Sequence, residues 1–87
     1  MGEITVYYHS SAMTATKRTS DRFLLPENGL KASSLARAII SRYSHSDIER
    51  VLENSRWIVD GQSVDPFGSF VLKGGEEVNV TPRLVGG

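Results

Sequence analysis

The chain has no cysteine among its 87 residues, and it has no excess of charge of either sign. The missing thiols exclude a disulfide framework, a thiolate metal site and a cysteine nucleophile. Ten basic residues balance ten acidic residues, so the formal net charge is zero. Nucleic acids and anionic membranes are bound through basic surfaces, so we expect neither as a partner. The length predicts a single domain, residues 1–87.

Long apolar runs are absent as well, since no run exceeds three residues. A secretory signal needs an apolar stretch of about 7–15 residues, and a membrane-spanning helix needs about 20. We therefore expect a cytoplasmic protein without a membrane segment.

Residue patterns typical of a metal site or of an enzyme are also missing. His9 and His45 are far apart in sequence and have no further ligand-type residues at zinc-binding spacing. The segment 61–65 lacks the final glycine of a serine nucleophile elbow, and residues 73–75 lack the spacing of a phosphate-binding loop. We expect no catalytic residue, no metal and no bound cofactor.

The first quarter of the sequence predicts a β-hairpin. Ile4, Val6 and Tyr8 alternate with their neighbours in the period of a half-buried strand. Residues 22–25 form a second short apolar segment, which ends at a proline. The residues between these strands, 10–20, are small and polar, and we expect them to form a loop.

The middle of the sequence changes to helical spacing. A main helix capped by Ser33 or Ser34 is predicted, and a shorter helix follows a capping box at residues 46–49. Asn54 is expected to end the shorter helix. On the main helix, the apolar positions expected to face the core of the domain are Leu35, Ala38, Ile39 and Tyr43.

The last third returns to strand-type sequence. Strands are predicted at 57–59 and around Val64, joined by an Asp60-Gly61 turn, then at 67–72, and then at 77–81 before Pro82. The order predicts an α+β fold, in which one main helix packs across one face of a mixed sheet and a second helix is short.

Two aromatic residues have different expected roles. Trp57 is expected to pack in the core, as large aromatic side chains usually do. Phe67 is a candidate for a partner surface on the open face of the sheet, where an exposed apolar side chain would mark an interface.

The chain ends in two glycines, and this end has a distinctive chemistry. Gly86 and Gly87 lack Cβ atoms, so they can enter a slot that is too narrow for other residues. The carboxylate of Gly87 is ionised at neutral pH and can attack a phosphate, after which the acyl group is activated for transfer. Leu84 and Val85 are apolar, which favours a partner groove that receives them.

The last sixteen residues resemble the C-terminal end of the β-grasp sulfur carriers, typified by the molybdopterin synthase small subunit and the thiamine sulfur carrier. The family pattern is Leu-x-x-Gly-Asp/Glu-Glu-Val, three residues, Pro, three residues, Gly-Gly. The positions in register are Leu72, Gly75, Glu76, Glu77, Val78, Pro82, Gly86 and Gly87. The resemblance implies the ubiquitin-like β-grasp fold, with residues 83–87 as a flexible tail.

The resemblance also implies a sulfur carrier for cofactor biosynthesis, with the molybdopterin type as the first expectation. A ubiquitin-activating-like adenylyltransferase would use ATP to adenylate Gly87, and a persulfide from a sulfur-donor protein would convert the adenylate to a thiocarboxylate. The chain would then be a carrier, or a non-catalytic small subunit, whose tail enters an acceptor enzyme such as a molybdopterin synthase large subunit. The inserting residues would be Pro82, Arg83, Leu84, Val85 and Gly86.

Two alternatives stay open. Arg83 stands where the molybdenum-cofactor branch usually has a second proline, and residues 83–87 are similar to the Arg-Leu-Arg-Gly-Gly end of ubiquitin. A protein modifier conjugated through Gly87 is therefore a second hypothesis. A β-grasp module that binds its partners without covalent chemistry is the third.

Overall fold

The computed structural model describes residues 2–82. Within this range the predicted elements occur in the predicted order, and two further elements, at residues 11–16 and 30–31, lie among them. The elements are β1 (Gly2–Tyr8), α1 (Ser11–Thr16), β2 (Ser20–Leu25), β3 (Leu30–Lys31), α2 (Ala32–Arg42), α3 (Ile48–Glu53), β4 (Ser55–Val59), β5 (Gln62–Val64), β6 (Val71–Leu72) and β7 (Glu77–Pro82).

The main sheet has five strands in the order β2-β1-β7-β4-β5. β1 pairs with β2 as an antiparallel hairpin, as predicted, and with β7 in parallel, with Tyr8 opposite Val80. β4 runs antiparallel to both β7 and β5. β3 and β6 form a separate two-stranded ribbon. The last strand in the described chain is therefore the central strand of the sheet.

One face of the sheet is buried because every second side chain of its strands is apolar. Ile4, Val6, Val78 and Val80 lie in the core between strands and helices, and Trp57 is fully buried, as predicted. α2 packs across this face, and its buried residues are Ala32, Leu35, Ala36 and Ile39. These positions follow the i, i+3, i+4, i+7 spacing of a single helical face.

The core-facing positions of α2 differ from the prediction at one residue. Ala38 is exposed and Ala36 is buried in its place, while Tyr43 packs against the edge of the core just beyond the helix. The helix also begins at Ala32, without a cap from Ser33 or Ser34. Its first free N–H groups, those of Ala32 and Ser33, donate instead to the carbonyls of Phe70 (2.7 Å) and Gly68 (3.3 Å).

The predicted loop at residues 10–20 is wrong, because this segment contains the helix α1. Its buried residues, Ala12 and Thr16, are four positions apart, and the Thr16 hydroxyl donates to the Ala12 carbonyl (2.9 Å). Ser10 and Lys17 flank the helix with positive φ angles of 53° and 58°. Small residues and a missing side-chain cap hide this helix from sequence patterns.

The remaining helix and strand boundaries agree with the prediction only in part. α3 ends at Asn54 as predicted, and the Asn54 amide nitrogen donates to the Arg50 carbonyl (2.9 Å). The capping box is only partly formed, because the Ser46 hydroxyl accepts from the Ile48 N–H (3.2 Å) but the helix has no side-chain bond at its N-cap residue, Asp47. The strand predicted at 67–72 is reduced to Val71–Leu72.

Candidate functional site

The candidate site is the point where the central strand reaches Pro82. Pro82 is exposed and lies opposite Ser55 of β4, while Thr81 lies opposite Arg56. The Thr81 hydroxyl donates to the Arg56 carbonyl (3.1 Å), which ties the end of β7 to its neighbour. The predicted attachment residue Gly87, and the predicted inserting residues 83–86, lie outside the described residues.

A histidine lies at the same end of the sheet, on the other side of β7. The backbone N–H of His9 donates to the Val80 carbonyl (3.3 Å). On the side chain, His9 Nε2 lies 2.9 Å from Asn79 Oδ1. These residues are neighbours because β1 and β7 are parallel and adjacent. Sequence reasoning treated His9 only as a rejected metal ligand, and the contact with Asn79 could not be found without the strand pairing.

The face of the sheet that α2 leaves open carries a mixture of polar and apolar side chains. Tyr7 lies directly beside Asn79, and both are half-buried. Arg56 Nε donates to the Ser63 hydroxyl (3.1 Å) on the neighbouring strand. Leu24, at the opposite edge of the sheet, is 72% exposed. Thr81 and Pro82, which form the root of the C-terminal segment, thus adjoin a surface with aromatic, basic and hydroxyl groups.

Phe67 lies elsewhere. It is 44% exposed, but it is in the turn that follows β5, so its expected position on the open face of the sheet is wrong. Asp65 builds this turn, since its carboxylate accepts from the Phe67 N–H (3.0 Å) and its carbonyl from the Gly68 N–H (3.0 Å). An Asp-Pro-x-Gly sequence is a strong turn signal, and it outweighs the apolar run. Contact between Phe67 and a partner stays a prediction.

A buried carboxylate supports this end of the molecule from within. The side chain of Asp21 is only 7% exposed, and its Oδ1 lies 3.1 Å from Arg18 Nε and 3.5 Å from Arg42 Nη1. The hydroxyls of Tyr8 (2.9 Å) and Tyr43 both donate to Oδ2. Four donors therefore satisfy one buried charge, as a carboxylate in this position requires.

The two tyrosines of this cluster have altered acidity. Burial, and then the hydrogen bond to Asp21, raise the pKa of Tyr8 well above its ordinary value of about 10. The same causes raise the pKa of Tyr43. Both hydroxyls stay protonated as donors, so the cluster joins β1, β2 and the end of α2 and does not act as a base.

The residues that carry the sequence resemblance before Pro82 have a structural role. The Glu76 carboxylate accepts from the N–H groups of Lys73 (2.8 Å) and Gly74 (2.6 Å), and it thereby closes the turn between β6 and β7. The Gly75 N–H donates to the Glu3 carbonyl (2.8 Å), which fixes this turn against β1. A Cβ atom on Gly74 would lie 3.0 Å from Gly2 Cα, and the φ angle of Gly74 is 120°, so both the close approach and the backbone conformation favour glycine.

Metal ligands and membrane spans were checked across the described chain. Between residues 2 and 82, no group of three or more His, Cys, Asp or Glu side chains is placed to hold a metal ion. The helices in that range are too short or too polar to cross a bilayer.

No protein-family model matches the chain, and no curated protein matches it. Several solved structures match over nearly their whole length. One, described as a putative molybdopterin converting factor subunit 1 from Pyrococcus furiosus, is 21% identical, with a TM-score of 0.73, and the match covers 97% of this chain and 100% of that chain.

Two further structures are small archaeal modifier proteins. Small archaeal modifier protein 1 from Haloferax volcanii is 9% identical, with a TM-score of 0.73, and the match covers 97% of this chain and 100% of that one. Small archaeal modifier protein 1 from Methanosarcina acetivorans is 15% identical, with a TM-score of 0.72, and the match covers 100% of this chain and 98% of that one.

At these identities the comparisons concern the fold. The predicted α+β architecture is confirmed, and so is the resemblance to β-grasp sulfur carriers at the level of structure. The chain has the ubiquitin-like β-grasp fold, which it shares with a molybdopterin converting factor subunit and with small archaeal modifier proteins.

Proposed function

We propose that this chain is a ubiquitin-like sulfur carrier, activated at the carboxylate of Gly87. The Gly87 carboxylate attacks the α-phosphate of ATP on a partner adenylyltransferase, and pyrophosphate leaves. The terminal sulfur of a donor protein's persulfide then attacks the acyl carbon and displaces AMP. A second thiol of the donor cleaves the resulting S–S bond, which leaves a thiocarboxylate on Gly87 and a disulfide on the donor.

The observation that carries this proposal is the placement of β7. Pairing on both sides holds β7 in the centre of the sheet, and the strand ends at Pro82, five residues before Gly87 in sequence. A reactive group that follows a central strand is attached at a fixed point, because the pairing of Thr81 and Pro82 with β4 orients these two residues. The folded domain, residues 2–82, then provides the surface that a partner enzyme binds.

The fold comparisons support a carrier in cofactor biosynthesis. The Pyrococcus furiosus structure is described as a molybdopterin converting factor subunit, and its match spans that whole chain. Sulfur transfer to a molybdopterin-type precursor, on an acceptor enzyme such as a synthase large subunit, is the form of the proposal that we favour. We propose that this occurs in the cytoplasm, with the chain as a carrier and not as the catalyst.

A protein modifier is the second candidate function. Two of the structural neighbours are described as small archaeal modifier proteins, and residues 83–87 are similar to the end of ubiquitin. This route shares the adenylation step and differs in the nucleophile that follows, which is a partner thiol and then a lysine amine. The product is an isopeptide bond instead of a thiocarboxylate.

The adenylation step can be tested by ATP–pyrophosphate exchange with candidate adenylyltransferases. We expect exchange with the full chain and a sharp loss of exchange with Gly87→Ala, since the added methyl group obstructs a narrow slot. On the prediction that residues 83–87 form a tail, the free energy of unfolding should change by less than about 0.5 kcal/mol.

The matched control is Ser41→Ala, which changes an exposed position of α2 away from the open face of the sheet and leaves residues 82–87 intact. Exchange should persist with this variant. Full exchange by a chain that lacks residues 86–87 would contradict both covalent proposals and favour a non-covalent binding module.

A further inference from the structure

A cleft of about 290 Å³ lies between the end of α1 and the segment that joins α2 to α3. Three of its lining residues carry basic side chains, namely Lys17, Arg42 and His45. Hydroxyl-bearing residues, including Tyr43, Ser44 and Ser46, line it as well, and no Asp or Glu is among the lining residues. The root of the C-terminal segment does not contribute to this cleft.

The charge around the cleft is positive although the chain as a whole is neutral. Arg18 and Arg42 both pair with a single carboxylate, Asp21, and Lys17 lines the cleft together with Arg42. The next carboxylate along the chain from the cleft, Asp47, lies 3.8 Å from Arg50. The cationic groups therefore exceed the anionic groups at this point of the surface.

The conformation of Lys17 indicates that its side chain has a use. Lys17 ends α1 with a φ angle of 58°, and its N–H donates to the Met13 carbonyl (2.8 Å). This left-handed conformation costs little for glycine, and glycine is the usual residue at such helix ends. A lysine here adopts a backbone conformation that L side chains disfavour, and it places an ammonium group beside the cleft.

Arg42 is held in place before any ligand binds. Its guanidinium lies 4.4 Å from the centre of the Phe23 ring, and its Nη1 is paired with Asp21. A guanidinium has five N–H donors, so these contacts leave others for a ligand in the cleft. The carbonyl of Tyr43, at the end of α2, already accepts from the N–H (3.0 Å) and the hydroxyl (2.6 Å) of Ser46.

We propose that this cleft binds the phosphoryl group of a small phosphorylated molecule. A fixed arginine and a lysine supply charge-assisted hydrogen bonds to phosphoryl oxygens, and the Ser44 hydroxyl supplies a further donor. The volume is at the lower end of the range for small-molecule sites, which suits a phosphoryl group with a small organic substituent. This site is separate from the proposed chemistry at Gly87.

The test is an NMR titration of amide chemical shifts at constant ionic strength, first with inorganic phosphate and then with glycerol phosphate. We expect saturable shifts at residues 15–18 and 42–46 in both titrations. A dissociation constant that is lower for the ester assigns the site to an organic phosphate, and equal constants assign it to the phosphoryl group alone.

Lys17→Gly separates binding from folding. Glycine relieves the strained backbone, so the variant should unfold at the same urea concentration as the parent chain or a higher one. Its affinity for phosphate should fall about tenfold, because one charge-assisted hydrogen bond is lost. Lys73→Gln, which removes a lysine outside the cleft, should leave the affinity unchanged. Shifts that do not saturate, or equal affinity in the Lys17→Gly variant, would overturn the proposal.

Discussion

The carboxylate of Asp21 joins several elements at one end of the sheet. Tyr8 of β1, Tyr43 after α2, and the arginines Arg18 and Arg42 all reach its carboxylate. The two aromatic rings also meet edge-on, with centroids 6.1 Å apart. A buried charge stays ionised only where donors replace water, so the cluster forms as a unit.

The raised pKa of Tyr8 predicts a loss of stability in alkali. The folded chain keeps this hydroxyl protonated, whereas the unfolded chain releases the proton near pH 10. The stabilisation is complete below about pH 10, and above it the free energy of unfolding should fall by up to about 1.4 kcal/mol per pH unit. Urea denaturation between pH 8 and 11.5 measures this slope.

Tyr8→Phe removes the titrating group and should give a shallower slope above pH 10, together with lower stability at neutral pH. Tyr7→Phe is the matched control, because Tyr7 lies on the open face and outside the Asp21 cluster. An alkaline slope that is the same in the parent chain and in Tyr8→Phe would contradict the assigned role of Tyr8.

Glu76 shows that a residue can carry a family motif for structural reasons. Its carboxylate binds two backbone N–H groups in the turn before β7. Glu76→Ala should lower the free energy of unfolding by about 1–2 kcal/mol, since two hydrogen bonds to a charged group are lost. Urea denaturation measures the change. Glu77→Ala, an exposed neighbour, should change it by less than about 0.5 kcal/mol; equal losses would contradict the turn-closing role.

Sequence patterns predict single residues unevenly. Trp57 is buried as expected, because size and apolar area decide its position. The contact between His9 and Asn79 joins positions 70 residues apart, and it depends on a parallel pairing that no local pattern reveals. Phe67 was misplaced because the Asp65 turn breaks the apolar run that contains it.

At the scale of elements, α2 presents a narrow apolar face to the sheet. Ala36 is fully buried on this face, and Ala38 is exposed on the other side of the helix. Ala36→Leu should therefore overpack the core and lower the free energy of unfolding by about 1–3 kcal/mol. Ala38→Leu adds the same atoms in solvent and should change it by less than about 0.5 kcal/mol.

Thermal and urea unfolding of the two variants measure this difference directly. The pair is matched in helix propensity and in added volume, so only the helical face differs. A larger destabilisation from Ala38→Leu would mean that the face predicted from the sequence, with Ala38 inward, is the correct one.

Elements were predictable where the hydrophobic period is clear. β1, β2, β4 and β7 alternate strictly between buried and open positions, and the Asp60-Gly61 turn has the positive φ angles that its sequence demands. α1 was missed because it is one and a half turns of small residues whose burial depends on tertiary contacts with α3 and β7. Short helices of this kind are stabilised by packing, not by propensity.

At the scale of the molecule, the first and last described strands, β1 and β7, pair with each other inside the sheet. β1 forms its parallel pairs with β7, so the central contacts of the fold form only when the chain through Pro82 is present. The same arrangement places the root of the C-terminal segment beside the Asp21-supported end of the sheet. The order of the main strands and of α2 and α3 was predictable from the sequence, but α1, β3 and the position of β7 between β1 and β4 required the structure.

Net charge is a second property that only the whole molecule explains. Ten charges of each sign cancel in the composition. In the fold, however, Arg18 and Arg42 share one carboxylate, Asp21, and Lys17 and Arg42 line the same cleft, so a basic cleft exists on a neutral chain. The composition gives the net charge of the chain, but it carries no information about how the charges are arranged on the surface.

The central claim, that Gly87 carries the transferable group, is tested most directly by the intact mass of the protein purified from its native host. The account predicts a fraction of chains that end at Gly87 and are heavier by the exchange of one oxygen for sulfur. Conjugates of higher mass would favour the modifier route. A protein that always extends beyond Gly87, or one whose Gly87 carboxylate is never modified in the presence of its activating enzyme and ATP, would contradict the account.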